Sequence, residues 1–223
     1  MSHSIRKRFT ASFVANTLRS GISFVTGLLL ARWLGPVEYG RMAFLLASFM
    51  AFRQLIDMAS SSAFFTFLSQ NQRSRRFIVY YWYWVALQFL FSLGLVAFLL
   101  PDHWVKEIWK EEGRLLLLLA FVAAFMQGTV WPIASQMAEA QRETVNVQRL
   151  NTLVMIIHLG AVLILWWLGM LAIPFLFIAL ALEWGIAGWL AARMYQEPAE
   201  QDNSSQSVDT PGRVFREFWQ YCW

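Results

Sequence analysis

Six stretches of the chain are each apolar for about 20 residues or more, the length a helix needs to cross a hydrocarbon layer roughly 30 Å thick. They cover residues 11–34, 41–68, 77–100, 114–137, 150–168 and 173–193. In lipid every backbone N–H and C=O has to be satisfied inside its own segment, so helices are the expected form. With 58% apolar and 14% charged residues among 223, the chain is too greasy for a soluble domain of this length to hide from water. The expected fold class is an all-α integral membrane protein, a bundle of six transmembrane helices over residues 1–194.

The segments between the apolar runs are short. Gly35-Pro36 breaks the chain after the first run, and residues 71–76 (NQRSRR) separate the second from the third. Residues 101–113 (PDHWVKEIWKEEG) carry the Trp and charge pattern of a short interfacial helix, and residues 168–174 form a tight turn. With the N-terminus placed in the cytoplasm, eleven Lys and Arg fall in inner segments and five in outer ones. That asymmetry predicts two cytoplasmic ends. Tyr80, Tyr81, Trp82, Tyr83 and Trp84 are expected to form an aromatic belt at the inner face. Residues 195–212, rich in Ser, Asp, Glu and Pro, read as a cytoplasmic linker. Residues 213–223 read as the start of a seventh helix or as an interfacial helix, and the sequence is expected to be a fragment of a longer one.

Ionisable residues within the apolar runs carry the functional argument. Arg53 and Asp57 sit four residues apart in the second run, on one helix face, where each charge costs roughly 2.5 to 3.5 kcal/mol. The first run has a polar stripe: Asn16, Arg19, Ser20, Ser23 and Gly27 share a face. Glu183 lies in the middle of the sixth run, near the expected depth of Arg53. Such residues point into a bundle, toward partners or water, and mark transport pathways. Arg19, Arg53, Asp57 and Glu183 together predict a hydrated cavity, and two guanidinium groups there suit a phosphate-bearing substrate. Each also has a plain reading: Arg53–Asp57 as a static ion pair, Arg19 snorkelling to the interface, Glu183 bonded to a neighbouring hydroxyl. Gln127, Ser135 and Gln136 add polarity to the fourth run, and Asn151 and His158 to the fifth. His158 reads as a packing residue. Pro132 is expected to bend the fourth run near Gly128, and Gly185 and Gly188 to permit close helix packing.

Several functions are disfavoured. Basic residues are scattered rather than gathered in a patch, so no nucleic-acid partner is expected. One cysteine, Cys222, leaves no disulfide framework and no thiolate metal site. There is no phosphate-binding loop and no nucleophile motif, so neither an enzyme nor a cofactor is expected. The basic N-terminus before the first run lacks a clear cleavage site and reads as a retained span rather than a signal peptide.

The turn after the first run reads ARWLGPVEYGRMAF, residues 31–44. It resembles the signature of bacterial polysaccharide-lipid flippases, the O-antigen and teichoic-acid exporters of the multidrug/oligosaccharidyl-lipid/polysaccharide exporter superfamily. Ala31, Arg32, Leu34, Gly35, Pro36, Tyr39 and Gly40 carry the match. The resemblance implies two six-helix lobes around a cationic cavity of alternating access, of which this chain covers the first lobe. It implies a multi-pass protein of the bacterial inner membrane, with membrane lipids around it. The substrate would be an undecaprenyl-diphosphate-linked oligosaccharide, and the partners the missing second lobe or polysaccharide assembly proteins. Arg19, Arg53, Asp57, Glu183 and Asn16 would line the cavity. Arg32 would cap the helix end or bind headgroups. A drug or cation exporter of the same superfamily, and a non-transporting remnant or assembly partner, stand as alternatives.

Overall fold

The computed structural model describes residues 2–70, 75–109, 112–141, 143–194 and 216. Among them the chain is helical throughout, in the order α1 (Ser2–Asp57), α2 (Ser60–Gln70), α3 (Arg75–Gly94), α4 (Asp102–Trp109), α5 (Arg114–Phe125), α6 (Trp131–Ala140), α7 (Thr144–Trp167) and α8 (Ile173–Arg193). A π-helical turn, Leu95–Leu99, extends α3, and a second, Met126–Val130, joins α5 to α6. The linker expected at 195–212 and the stretch 213–223, apart from helical Arg216, lie outside the described residues.

Five helices are long and apolar enough to cross a membrane: Phe13–Asp57, Phe77–Leu99, Arg114–Ala140, Thr144–Trp167 and Ile173–Arg193. The first, of 45 residues, takes the place of two of the six runs expected from the sequence. It is broken at Gly35, whose φ of 81° and ψ of 163° are non-helical. Only glycine adopts that conformation easily, and Pro36, lacking an N–H, starts the next helical segment without needing a bond from the turn before.

The expected second span, 41–68, is not one helix. It stops at Asp57 and restarts at Ser60, because Met58 and Ala59 both adopt positive φ (45° and 61°). The Asp57 carboxylate caps the restart. Its Oδ1 accepts from the Ser61 backbone N–H (3.2 Å) and the Ser60 hydroxyl (2.9 Å), and Oδ2 from the Ser61 hydroxyl (2.7 Å). The side chain thereby satisfies one of the backbone donors that a helix start leaves open.

The segment from α5 through its π-helical turn to α6 is the axis of the bundle, packed by α8 along its length and by α1, α2 and α3 around it. Lipid gives no hydrophobic drive for helices to associate, so close fit decides the packing. At Gly188 a Cβ would stand 2.8 Å from Val130 Cγ1, so α8 can approach the turn only because that residue is glycine; Gly185 has room, its nearest contact being 3.7 Å. Near the other end of the axis, Phe121 packs on Phe49, Phe89 and Phe125 with ring centroids 5.7–5.8 Å apart. The π-helical turn falls where a bend was expected, since Pro132 withholds the N–H that Gly128 O would otherwise receive.

Helix α4 forms where an interfacial helix was expected, and it is anchored by Trp109. That ring stacks on Phe49 at 5.4 Å and donates its N–H to Ser48 Oγ at 3.0 Å. Beside it, Arg41 forks onto Glu112 (2.7 Å for both bonds), and Arg114 holds Asp102 (2.6 Å) and the carbonyls of Ala97 and Leu100. The aromatic belt is split. Tyr80 and Tyr83 face outward, but Tyr81 is buried and stacks on Phe64 at 3.7 Å. Large apolar side chains such as Phe98, Trp167 and Leu182 face outward around the bundle, the perimeter expected of a protein solvated by lipid.

Candidate functional site: an intramembrane polar cavity

The polar stripe of α1 turns one side toward α7. Thr26 is buried and bonds its own helix at Ile22 O (2.8 Å), and the Ser23 hydroxyl lies 3.5 Å from Met155 Sδ on α7. Gly27 leaves room for Tyr39, whose hydroxyl would be 3.7 Å from a Cβ there. Because α1 breaks at Gly35, residues on both sides of the break share one wall. The result is a cavity of about 320 Å³ bounded by α1, the π-helical turn, α7 and α8. Ser23, Thr26, Tyr39, Gln127 and His158 supply its polar lining, and Leu, Met and Trp side chains the rest. Such a volume is at the lower end for small-molecule sites, and its polar groups suit ordered water.

The structure does not gather the four expected charges around this space. Arg53 lies half-buried across Gly128, its Nε 2.8 Å from where a Cβ would be. One terminal N–H reaches Thr129 Oγ1 at 3.5 Å, and its buried Nε has no hydrogen-bond partner among the described residues. Arg53 and Asp57 form no ion pair within 4 Å, so the plain alternative of a static pair is not the arrangement here; Asp57 is occupied as a helix cap. Arg19 bonds Asn16 Oδ1 at 2.7 Å, near the open side of the bundle, and neither lines the cavity. Of the turn motif, Gly35 and Pro36 make the break, Tyr39 reaches the cavity, and Arg32 and Gly40 are exposed.

Glu183 also departs from its plain alternative reading. Its partner is an imidazole rather than a hydroxyl: Oε2 lies 2.8 Å from His158 Nδ1. His158 is thus a hydrogen-bonding partner of Glu183 in the cavity wall rather than a plain packing residue. Thr129 and Thr26 went unmarked in the sequence, although a Thr one turn from polar neighbours is a usable sign. Gln136 and Asn151 also lie inside, each with a buried amide oxygen that has no partner among the described residues.

These features define a class: a helical, multi-pass membrane protein with ionisable groups and a polar cavity within its spans. The chain belongs to the polysaccharide biosynthesis protein family, whose model matches residues 5–219. Comparisons with curated proteins and with solved structures give no match.

Proposed function

We propose that this protein exports a lipid-linked oligosaccharide, an undecaprenyl-diphosphate-linked sugar, across the bacterial inner membrane for surface polysaccharide. The observation that carries this reading is Arg53. A guanidinium inside a span, with one long contact and a buried unpartnered Nε, is retained against its desolvation. In a polysaccharide biosynthesis protein, an anionic sugar-lipid phosphate is the partner that repays it. Asp57 is engaged by two serines and Glu183 by His158, so neither competes with Arg53 for the role of substrate ligand, which favours an anionic substrate over a cationic drug.

The topology follows from α1. Its 45-residue span would reach about 68 Å as one helix, twice the hydrocarbon thickness. Folding back at Gly35 gives two crossings, six in all, and both ends in the cytoplasm. The bundle then acts as one lobe, which rocks against a second lobe or an assembly partner while the lipid tail stays in the bilayer. Deleting the gene should abolish surface polysaccharide and leave lipid-linked oligosaccharide trapped on the cytoplasmic leaflet, as read by a membrane-impermeant glycosidase. Normal polysaccharide in the deletion strain would refute the assignment.

A further inference from the structure

Helices α1 and α7 run side by side in the same direction. Ser23 meets Met155, and Trp33 stacks on Trp166 with ring centroids 4.5 Å apart, so the two helices keep one register over this stretch. Carried back toward the helix starts, that register sets Arg19 level with Asn151 and Asn16 level with Gln148. Gln148, Asn151, Met155 and His158 follow the three- and four-residue spacing of one α7 face. Gln148 and Asn151 each have a buried amide oxygen with no partner among the described residues. The seam between α1 and α7 is therefore polar from the helix starts up to the cavity. Beyond the cavity the stacked Trp33 and Trp166 rings lie across it.

The cavity at the end of this seam has a particular chemistry. None of its described lining residues is Asp, Glu, Lys or Arg. A diphosphate would find no cation there, and a desolvated charge without a partner is strongly disfavoured. Its wall does offer neutral groups that both donate and accept. The Tyr39 hydroxyl and the Gln127 amide make no hydrogen bond among the described residues, and the Ser23 hydroxyl meets only a thioether. An apolar chain would leave these groups unsatisfied. Between them stand Leu and Met side chains and Trp184. Mixed neutral hydrogen-bonding groups set among apolar surfaces match a sugar ring, whose hydroxyls donate and accept while its C–H faces pack on apolar walls. At about 320 Å³ the space suits a ring rather than an extended chain. The π-helical turn places Gln127 in this wall and the next residue, Gly128, against Arg53. Such turns recur at functional sites.

We propose that the cavity is a subsite for one uncharged sugar ring, reached along the α1–α7 seam, with Gln127 and Tyr39 as its hydrogen-bonding residues. That the ring belongs to the exported molecule rests on the export reading; the binding itself does not. The test uses the full chain in lipid nanodiscs, with Cys222→Ser and Ser23→Cys, and follows modification of position 23 by a methanethiosulfonate. The probes are free glucose, galactose and N-acetylglucosamine, with glucitol as the open-chain control. A ring sugar should slow modification in a saturable way, and glucitol should not. Gln127→Leu and the nearly isosteric Tyr39→Phe should each raise the sugar concentration needed about two- to tenfold, the loss of one hydrogen bond. No protection by any of the three sugars would overturn the proposal, leaving a cavity that holds water only. So would equal protection by glucitol, protection indifferent to both substitutions, or a position 23 that never reacts. Normal surface polysaccharide in a deletion strain would refute the export reading while leaving these protection results to stand by themselves.

Discussion

Replacing Arg53 with Ala should cut polysaccharide export about tenfold or more while making the protein more stable. The two effects have one cause. Arg53 lies half-buried beside Gly128 with a single 3.5 Å contact to Thr129, so its desolvation is poorly offset in the resting fold. Removing the charge should raise stability by about 1–3 kcal/mol, the scale of the penalty for a charge at mid-span. Each guanidinium–phosphate hydrogen bond contributes about 1.5–3 kcal/mol, so losing one should reduce export about tenfold or more. Arg53→Lys keeps the charge without the planar fork and should fall between the two. Surface polysaccharide and thermal unfolding of the purified variants check both halves. Intact export in Arg53→Ala, or a large loss of stability, would assign Arg53 a merely structural place.

Phe121→Ala should do the reverse, destabilising the bundle with no direct effect on the cavity. Phe121 is fully enclosed by rings from α1, α3 and its own helix, and it does not line the cavity. Truncation leaves a void at the junction of three helices. The loss should be about 2–5 kcal/mol, toward the lower end because lipid removes most of the transfer term and leaves the packing term. Thermal unfolding in lipid nanodiscs measures it. A variant as stable as the parent would mean that α1, α3 and α5 do not pack as described.

How far the sequence foretold this structure depends on the kind of signal. Apolar length located the five helices long enough to cross a membrane, because lipid makes that signal simple. The Gly35-Pro36 break was legible because each residue has a backbone property no other shares. The break at Met58 and Ala59 was not, since neither residue type prefers positive φ. Its one local sign is Asp57 followed by Ser60 and Ser61, a capping pattern masked by the apolar residues on either side. The His158–Glu183 pair hid behind a separation of 25 residues. Counting outward from the turn would have found it. His158 lies nine residues before Trp167 and Glu183 ten after Ile173, which sets them opposite each other across a helical hairpin. The Arg53–Asp57 pairing failed for the opposite reason. Four-residue spacing suits a continuous helix, and the helix ends at Asp57.

The central claim is that water reaches the cavity inside the spans, and thiol accessibility tests it most directly. With Cys222 replaced by Ser, single cysteines are placed at Ser23 and Gln127 in the cavity wall and at Leu182 on the outward face of α8. Thiols react as thiolates, which form in water and not in hydrocarbon. A charged, membrane-impermeant methanethiosulfonate should modify positions 23 and 127 and spare position 182. Cavity positions as inert as 182 would mean a dry interior, and the transport reading would fall with it.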